Sequence, residues 1–263
     1  MVVDGPVVTD AERAAAGRWL VKHRVEVPTL TDLLALRLGF RGGARPPGSW
    51  RWAAAAILVM MVANVGYLCL EFLPGVRGEE LTDSAYLFFL MIVLQLSGWV
   101  PVRVRDRQAR ALLGTRAIER PPGAGMGGWD IAALLVTFGG GTALAVTIFV
   151  TTPFRTYAWS WLGLLALGGV VTAVILTGIL RRPVIAEDET SLAVDAAVRI
   201  EDLLLAMPAV YAVPLLFEPM TDNAQPPGYT PWLIGYAALA VATQAVAGFV
   251  DRRRSRAILA AVA

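Results

Sequence analysis

Long runs of apolar residues, separated by short charged segments, set the pattern of this sequence. Six windows without Asp, Glu, Lys or Arg lie between charged positions, at 52–70, 84–102, 131–154, 156–180, 203–217 and 223–250. A helix needs roughly 20 apolar residues to cross the hydrocarbon core of a bilayer, which is about 30 Å thick. The pattern therefore predicts an all-α integral membrane protein with six transmembrane helices.

The same pattern predicts three parts along the chain. Residues 1–50 form a cytoplasmic or interfacial arm, 51–251 the transmembrane domain, and 252–263 a cytoplasmic tail. The predicted spans are about 52–72, 84–102, 130–152, 157–180, 203–218 and 230–250. Glycines in the third and fourth spans lie four residues from another small residue, as in Gly169 and Ala173. Small residues let helix backbones approach closely in lipid, so we expect these two spans to pack together.

The fifth window is short for a membrane crossing. Its 15 residues would cover about 22 Å as an α-helix, at about 1.5 Å per residue. In one interpretation the helix spans straight, and Glu201, Asp202 and Glu218 are drawn to headgroup level. In the other, Pro208 and Pro214 break the segment, which then lines a cavity.

The distribution of lysine and arginine predicts the orientation. Positive charge is retained in cytoplasmic loops, and 21 of the 23 Lys and Arg residues fall on one side of the predicted spans. Only Arg77 and Arg155 fall on the other side. We therefore expect a multi-pass protein of the cytoplasmic membrane, with its N- and C-termini in the cytoplasm.

The N-terminal arm carries two helix signals. Thr9 and Glu12 have the spacing of a capping box, and Thr29 and Asp32 together could start a second helix. In this second stretch, leucines alternate with Arg37 and Arg41. One interpretation is an amphipathic helix on the inner leaflet, with its arginines toward anionic headgroups. The alternative is a helix packed on the cytoplasmic loops.

Composition excludes several classes of catalytic site. The chain is 56% hydrophobic and 17% charged, with a mean hydropathy of +0.59, and it holds one cysteine and one histidine. A catalytic triad, a histidine metal pair and a cysteine cluster cannot form from these, and no phosphate-binding G-x-x-x-x-G-K-[ST] loop occurs. We expect no enzyme and no cofactor, and we expect the one histidine, His23, on the surface.

Three amides are the candidate polar contacts within the membrane. Asn64 and Gln95 lie near the middle of the first and second spans, at similar depth, and a hydrogen bond between them would satisfy both. Gln244 in the sixth span has no evident partner. The first interpretation of all three is structural, and the alternative is a polar pathway.

The predicted cytoplasmic loops carry opposite charge. Residues 103–128 have a balance of +4 and 181–202 a balance of −3, so we expect these loops to meet as surface pairs of little energetic weight. The densest basic run in the first loop contains Arg103, Arg105, Arg107 and Arg110. This run lacks the recognition fold and stacking aromatics of a nucleic-acid site. It is interpreted as contact with anionic lipid or as a docking surface for a cytoplasmic protein.

Six spans, cytoplasmic termini, a basic loop after the second span and a kinked fifth span resemble, in outline, the permeases of ABC-2-type exporters. The segment Arg105-Asp106-Arg107 followed by Gly114-Thr115 departs from the R-E-x-x-G-T-like motif of those permeases, so no residue role is carried over. The resemblance implies a transport subunit energised by a separate ATPase chain. The alternative is a non-catalytic scaffold, sensor or assembly partner. Both leave association of several copies open.

Overall fold

The computed structural model describes residues 8–27, 29–44, 49–81, 85–113, 125–218 and 225–262. These residues form helices and no strand. The α-helices are α1 Asp10–His23, α2 Asp32–Arg41, α3 Ser49–Leu68, α4 Ala85–Leu113, α5 Gly128–Leu134, α6 Gly141–Thr151, α7 Arg155–Leu180, α8 Glu189–Asp202 and α9 Thr230–Ala260. A π-helical turn, Leu135–Gly140, joins α5 to α6. The described part of the chain is thus all-helical, as the sequence predicts.

Five helical stretches in the described residues are long and apolar enough to span a membrane. They are Ala54–Phe72, Ala85–Leu113, Gly128–Thr151, Arg155–Leu180 and Thr230–Ala260. The first four and the last of the predicted spans are therefore present as helices. Helices α4 and α9 each end in a charged C-terminal part, which begins at Arg103 in α4 and at Asp251 in α9. These parts lie with the other polar segments at one end of the molecule.

The fifth predicted span is not a continuous α-helix. Residues 203–217 form three 3₁₀ turns, Leu203–Ala206, Pro208–Tyr211 and Val213–Leu216, and a proline lies at the start of each of the last two. The straight interpretation is therefore wrong, and the broken one describes the segment. We call residues 203–217 the broken segment.

The broken segment lies inside the bundle. Ala206, Ala209, Ala212 and Leu215 are buried, and the segment contacts α4, α7 and α9. Non-helical backbone at membrane depth is tolerated where protein surrounds it, because its free N–H and C=O groups then find partners. Burial thus explains how a segment with two prolines is accommodated inside the bundle.

The two ends of the broken segment meet opposite ends of the bundle. Asp202, just before it, pairs with Arg41 and Arg182. Glu218, just after it, accepts a hydrogen bond from the hydroxyl of Tyr157, near the start of α7. The segment therefore runs the length of the bundle.

The predicted contact of the third and fourth spans is present, because α6 packs on α7. The glycines of α7 serve another neighbour as well. A Cβ atom on Gly168 would lie 2.8 Å from two ring carbons of Tyr211 in the broken segment, whereas Gly163 has no such neighbour within 4 Å. The glycine at 168 thus makes room for a buried ring.

A polar domain covers one end of the bundle. It consists of α1, α2, residues 103–113 of α4, 181–202 with α8, and 251–260 of α9, and we call it the headpiece. The Thr9–Glu12 capping box is present at the start of α1. The predicted second helix, α2, starts at Asp32, but its cap is Thr31 and not Thr29. Helix α8 begins with Asp188 as its cap, in a capping box with Ser191.

Helix α2 does not lie on a leaflet surface. Its residues from Leu33 to Gly39 are all buried, Arg37 included. It packs between α1 and α4, so the second interpretation of the arm, a helix packed on the cytoplasmic loops, is the one that the structure supports.

Candidate functional site

A network of buried charges holds the headpiece together. Arg37 on α2 donates from Nη2 to Asp195 Oδ1 at 2.7 Å and from Nη1 to the carbonyl oxygen of Ile185 at 2.9 Å. Arg41 donates to both carboxylate oxygens of Asp202, at 2.9 and 2.7 Å. The network joins residues that are 158 and 161 positions apart in the chain.

Asp106 on α4 lies at the centre of this network. Its carboxylate faces Arg37 at 3.5 Å and Arg41 at 3.6 Å, and it accepts a short hydrogen bond from Arg182. Arg182 also donates to Asp202, at 2.7 Å. One carboxylate thus ties α2 and the segment after α7 to α4.

The side chains of the network are buried, which raises the cost of leaving any one of their charges unpaired. The side chains of its members are at most 8% exposed. Its members are Arg37, Arg41, Arg182 and Arg199 with Asp106, Asp195 and Asp202. The loops of opposite charge do meet, as predicted, but the expectation of surface pairs is wrong. Removing one partner of a buried pair leaves an uncompensated charge at a cost of about 3–5 kcal/mol.

The pKa shifts differ among the arginines of the network, and burial lowers the pKa of Arg37 despite the nearby Asp195 and Asp106. Burial lowers the pKa of Arg182, but the carboxylates of Asp106 and Asp202 outweigh burial and leave that pKa above its ordinary value. The pKa of Arg41 is raised in the same way, against burial, by Asp202 and Asp106. The charged forms of Arg41 and Arg182 are therefore favoured by their carboxylate partners.

His23 links the arm to the end of α8. Its Nδ1 lies 2.8 Å from the carbonyl oxygen of Trp19 and its Nε2 lies 3.0 Å from Glu201 Oε1, and its ring stacks on Trp19 at 3.9 Å between centroids. The expectation of a surface histidine is therefore wrong. Both partners are acceptors, so only the imidazolium, with two N–H groups, satisfies both.

We expect the His23 contact to weaken as pH rises. Burial lowers the pKa of His23, but the hydrogen bonds to Glu201 and Trp19 outweigh it, so the pKa in the folded chain lies above its ordinary value. A raised pKa gives stability that is present at low pH and is lost as pH passes through the raised value. Since His23 is the only histidine, its C2-proton NMR signal reports the titration directly.

The control for this titration is Glu201→Gln, which removes the charge and keeps the shape. The variant should return the pKa of His23 toward its ordinary value. An unchanged pKa of His23 in the Glu201→Gln variant would show that Glu201 does not set it.

The four arginines of the candidate docking surface are not equivalent. Arg105 is buried and forms a short ion pair with Glu12 of α1, so it does not lie on an exposed surface. Arg103 donates to the carbonyl oxygen of Gly178 at 2.8 Å. Arg107 and Arg110 are exposed. The Gly114-Thr115 pair of the predicted motif lies outside the described residues.

Gln95 contacts the broken segment and not Asn64. Its Nε2 donates to the carbonyl oxygen of Met207 at 2.8 Å, and its Oε1 accepts from the hydroxyl of Tyr211 at 2.7 Å. The predicted bond between Asn64 and Gln95 is therefore not formed, and Asn64 is half-buried on α3. Gln95 instead supplies one hydrogen bond to the unwound backbone, at Met207, and accepts one from the side chain of Tyr211.

Two adjoining cavities lie where the headpiece meets the bundle. The first, which we call the polar cavity, measures about 460 Å³, and its charged lining includes Lys22, His23, Glu201 and Arg256. The second, the apolar groove, measures about 520 Å³ and lies between the broken segment and α9. Leu204 and Arg252 line both. Gln244 lines the apolar groove, whereas Pro208 and Pro214 belong to the broken segment but not to the groove lining.

The described residues include no group of three His, Cys, Asp or Glu side chains that could hold a metal ion. Comparison with protein-family models, with curated proteins and with solved structures finds no match. The resemblance to exporter permeases therefore stays a prediction from topology. The adjoining cavities and the exposed arginines Arg107 and Arg110 are the features from which a function can be argued.

Proposed function

We propose that the chain is a permease-like membrane subunit of an exporter complex, energised by a separate ATPase chain. The observation that carries this proposal is the broken segment, which runs buried through the bundle and forms one wall of the apolar groove. In membrane transporters, substrate sites are formed by discontinuous helices near mid-membrane, because unwound backbone offers polar groups and can rearrange. The groove is the substrate path in this proposal.

The proposal includes six crossings of the cytoplasmic membrane, with both termini and the headpiece in the cytoplasm. The broken segment is the fifth crossing in this proposal. The contacts of Asp202 and Glu218 with opposite ends of the bundle support this assignment. The positive-inside distribution of Lys and Arg supports the orientation.

The π-helical turn supports the same proposal. Such turns are rare and occur frequently at functional sites. Within this turn the carbonyl oxygen of Thr137 accepts a hydrogen bond of 2.6 Å from the Tyr236 hydroxyl on α9, in addition to one from the backbone N–H of Gly141. The turn thus fixes α9, the second wall of the groove, against the third crossing.

The ATPase must be another chain, because this sequence has no phosphate-binding loop and a single lysine, Lys22. Arg107 and Arg110 are the exposed part of the candidate docking surface. We propose that they bind an acidic face of the ATPase subunit.

We expect the double reversal Arg107→Glu and Arg110→Glu to remove the ATPase from the purified complex. Each reversed charge would face a like charge across the interface, where such juxtaposition costs several kcal/mol. The measurement is vanadate-sensitive ATP hydrolysis recovered per mole of tagged chain from native membranes. A decrease of at least about tenfold is expected, corresponding to about 1.4 kcal/mol.

The matched control reverses Arg18 and Arg24, two exposed arginines of the arm, and should keep the activity. Arg105 is left intact in both variants, because its reversal would also break the buried pair with Glu12. A wild-type chain that purifies without any ATP-hydrolysing subunit would refute the exporter proposal.

A second candidate function is a non-catalytic scaffold or sensor, and the headpiece favours it. Its buried arginines pair with aspartates and with Glu12, which joins four segments, α1, α2, the end of α4 and 181–202, into one rigid body. A rigid body of this kind can present a surface to a cytoplasmic protein. Retained partner binding with no recovered ATPase would support this candidate.

A further inference from the structure

The polar cavity and the apolar groove adjoin and have different chemistries. Leu204 and Arg252 belong to the lining of both, so the two volumes meet at these residues. Each volume falls in the range of about 300–1,000 Å³ that ligand sites occupy. Together they have a charged end at the headpiece and an apolar end on the surface of the bundle, between the broken segment and α9.

The polar cavity carries an excess of positive charge. Glu201 and Asp202 are its acidic groups, and they are paired with His23 and Arg41. Lys22, Arg252 and Arg256 are exposed and form no ion pair with another described residue. Three basic side chains are thus available to an anion at this end.

The apolar groove continues from this end along α9. Its lining is apolar except for Arg252 at the mouth and Gln244 further in, and Val241 and Phe249 form part of its α9 wall. The Oε1 atom of Gln244 is buried and has no hydrogen-bond partner among the described residues. An amide in such a position can bond to a polar group of a ligand that is otherwise apolar.

We propose that this site binds one anionic glycerophospholipid of the inner leaflet, with its phosphate among Lys22, Arg252 and Arg256 and an acyl chain in the apolar groove. A basic pocket between helices on the cytoplasmic side recognises anionic headgroups. A soluble phosphate compound would use the charged end but would leave the apolar groove empty. The occupant is therefore a lipid.

This inference rests on the proposed function, since it names the class of molecule that enters the same groove. Lipid binding to the purified chain requires no ATPase, so the two proposals fail separately. The Arg107→Glu and Arg110→Glu reversal removes the ATPase in the first proposal and leaves lipid binding unchanged in this one.

Native mass spectrometry of the full chain in detergent, titrated with phosphatidylglycerol or with phosphatidylcholine, tests the proposal. We expect one phosphatidylglycerol to bind with high occupancy and at least about tenfold more tightly than phosphatidylcholine. Reversal of Lys22, Arg252 and Arg256 to Glu should weaken phosphatidylglycerol binding by at least about tenfold, because each basic group near a headgroup is favourable. Increasing salt should weaken it too.

A steric variant tests the apolar end. Val241→Trp places a large ring in the apolar groove and should weaken binding of both lipids. Val246→Trp is the matched control, because Val246 lies on the same helix, is 38% exposed against 41% for Val241, and does not line the groove. Equal binding of the two lipids, or full phosphatidylglycerol binding in the triple reversal and in Val241→Trp, would overturn the proposal.

Discussion

Replacing Asp106 by Asn is expected to lower the free energy of unfolding of the headpiece by about 3–5 kcal/mol. The carboxylate of Asp106 contacts Arg37, Arg41 and Arg182, and its own side chain is 5% exposed. The network has four arginines and three aspartates. Loss of one carboxylate raises the net charge of the network from +1 to +2 among side chains that are at most 8% exposed, so the remaining arginines repel each other.

Hydrogen exchange of the α1 and α2 amides measures this effect, because local opening of the headpiece exposes them. Asp32→Asn is the control, since Asp32 pairs with Arg13 on the surface, where the two side chains are 58% and 49% exposed. Exposed pairs contribute about 0–1 kcal/mol. Asp106→Asn with protection equal to that of the control would show that the network is not needed for stability.

The charge balance also predicts a rescue. Arg182→Met in the Asp106→Asn background removes one arginine and restores a net charge of +1. The double variant should therefore lose less stability than the sum of the two single variants, because contacting groups couple by about 0.5–3 kcal/mol. An additive double variant would contradict the role of net charge.

Sequence reasoning predicted the five long helices because each lies in a window free of charge, and length alone decides whether such a window can span. It also predicted that the loops containing Asp106 and Arg182 meet. It did not predict that these charges are buried. Burial depends on α2, which covers them from a position more than 60 residues earlier in the chain, and charge counts contain no information on partners that distant.

The candidate site was predicted less well, for related reasons. Pro208 and Pro214 correctly indicated a broken fifth segment as one alternative, because proline removes a helix hydrogen bond. A hydrogen bond between Gln95 and Asn64 was predicted because the two residues lie at similar depth in their spans. Depth does not determine which side of a helix a residue occupies. The partners that Gln95 meets, Met207 and Tyr211, exist because the segment is broken. The break depends on tertiary contacts, because the surrounding helices must supply hydrogen-bond partners for the unwound backbone.

Replacing Gly168 by Ala is expected to destabilise the bundle by about 1–3 kcal/mol, although alanine is the better helix former. The new methyl group would lie 2.8 Å from the Tyr211 ring, and that ring cannot move freely, since it is fully buried and its hydroxyl is bonded to Gln95. The displaced ring would pull the broken segment away from α4. Unfolding in mixed detergent micelles, followed by tryptophan fluorescence, measures the change.

Gly163→Ala provides a matched control on the same helix, because a Cβ atom there meets nothing within 4 Å. This variant should be neutral or more stable by up to about 1 kcal/mol, since alanine loses less backbone entropy than glycine in a helix. Tyr211→Leu in the Gly168→Ala background should reduce the cost of the alanine, because the smaller side chain leaves room for it. If both alanine variants change stability equally, close approach at Gly168 does not hold the broken segment in place. If only Gly168→Ala is costly, the small residues of α7 are explained by the broken segment and not only by contact with α6.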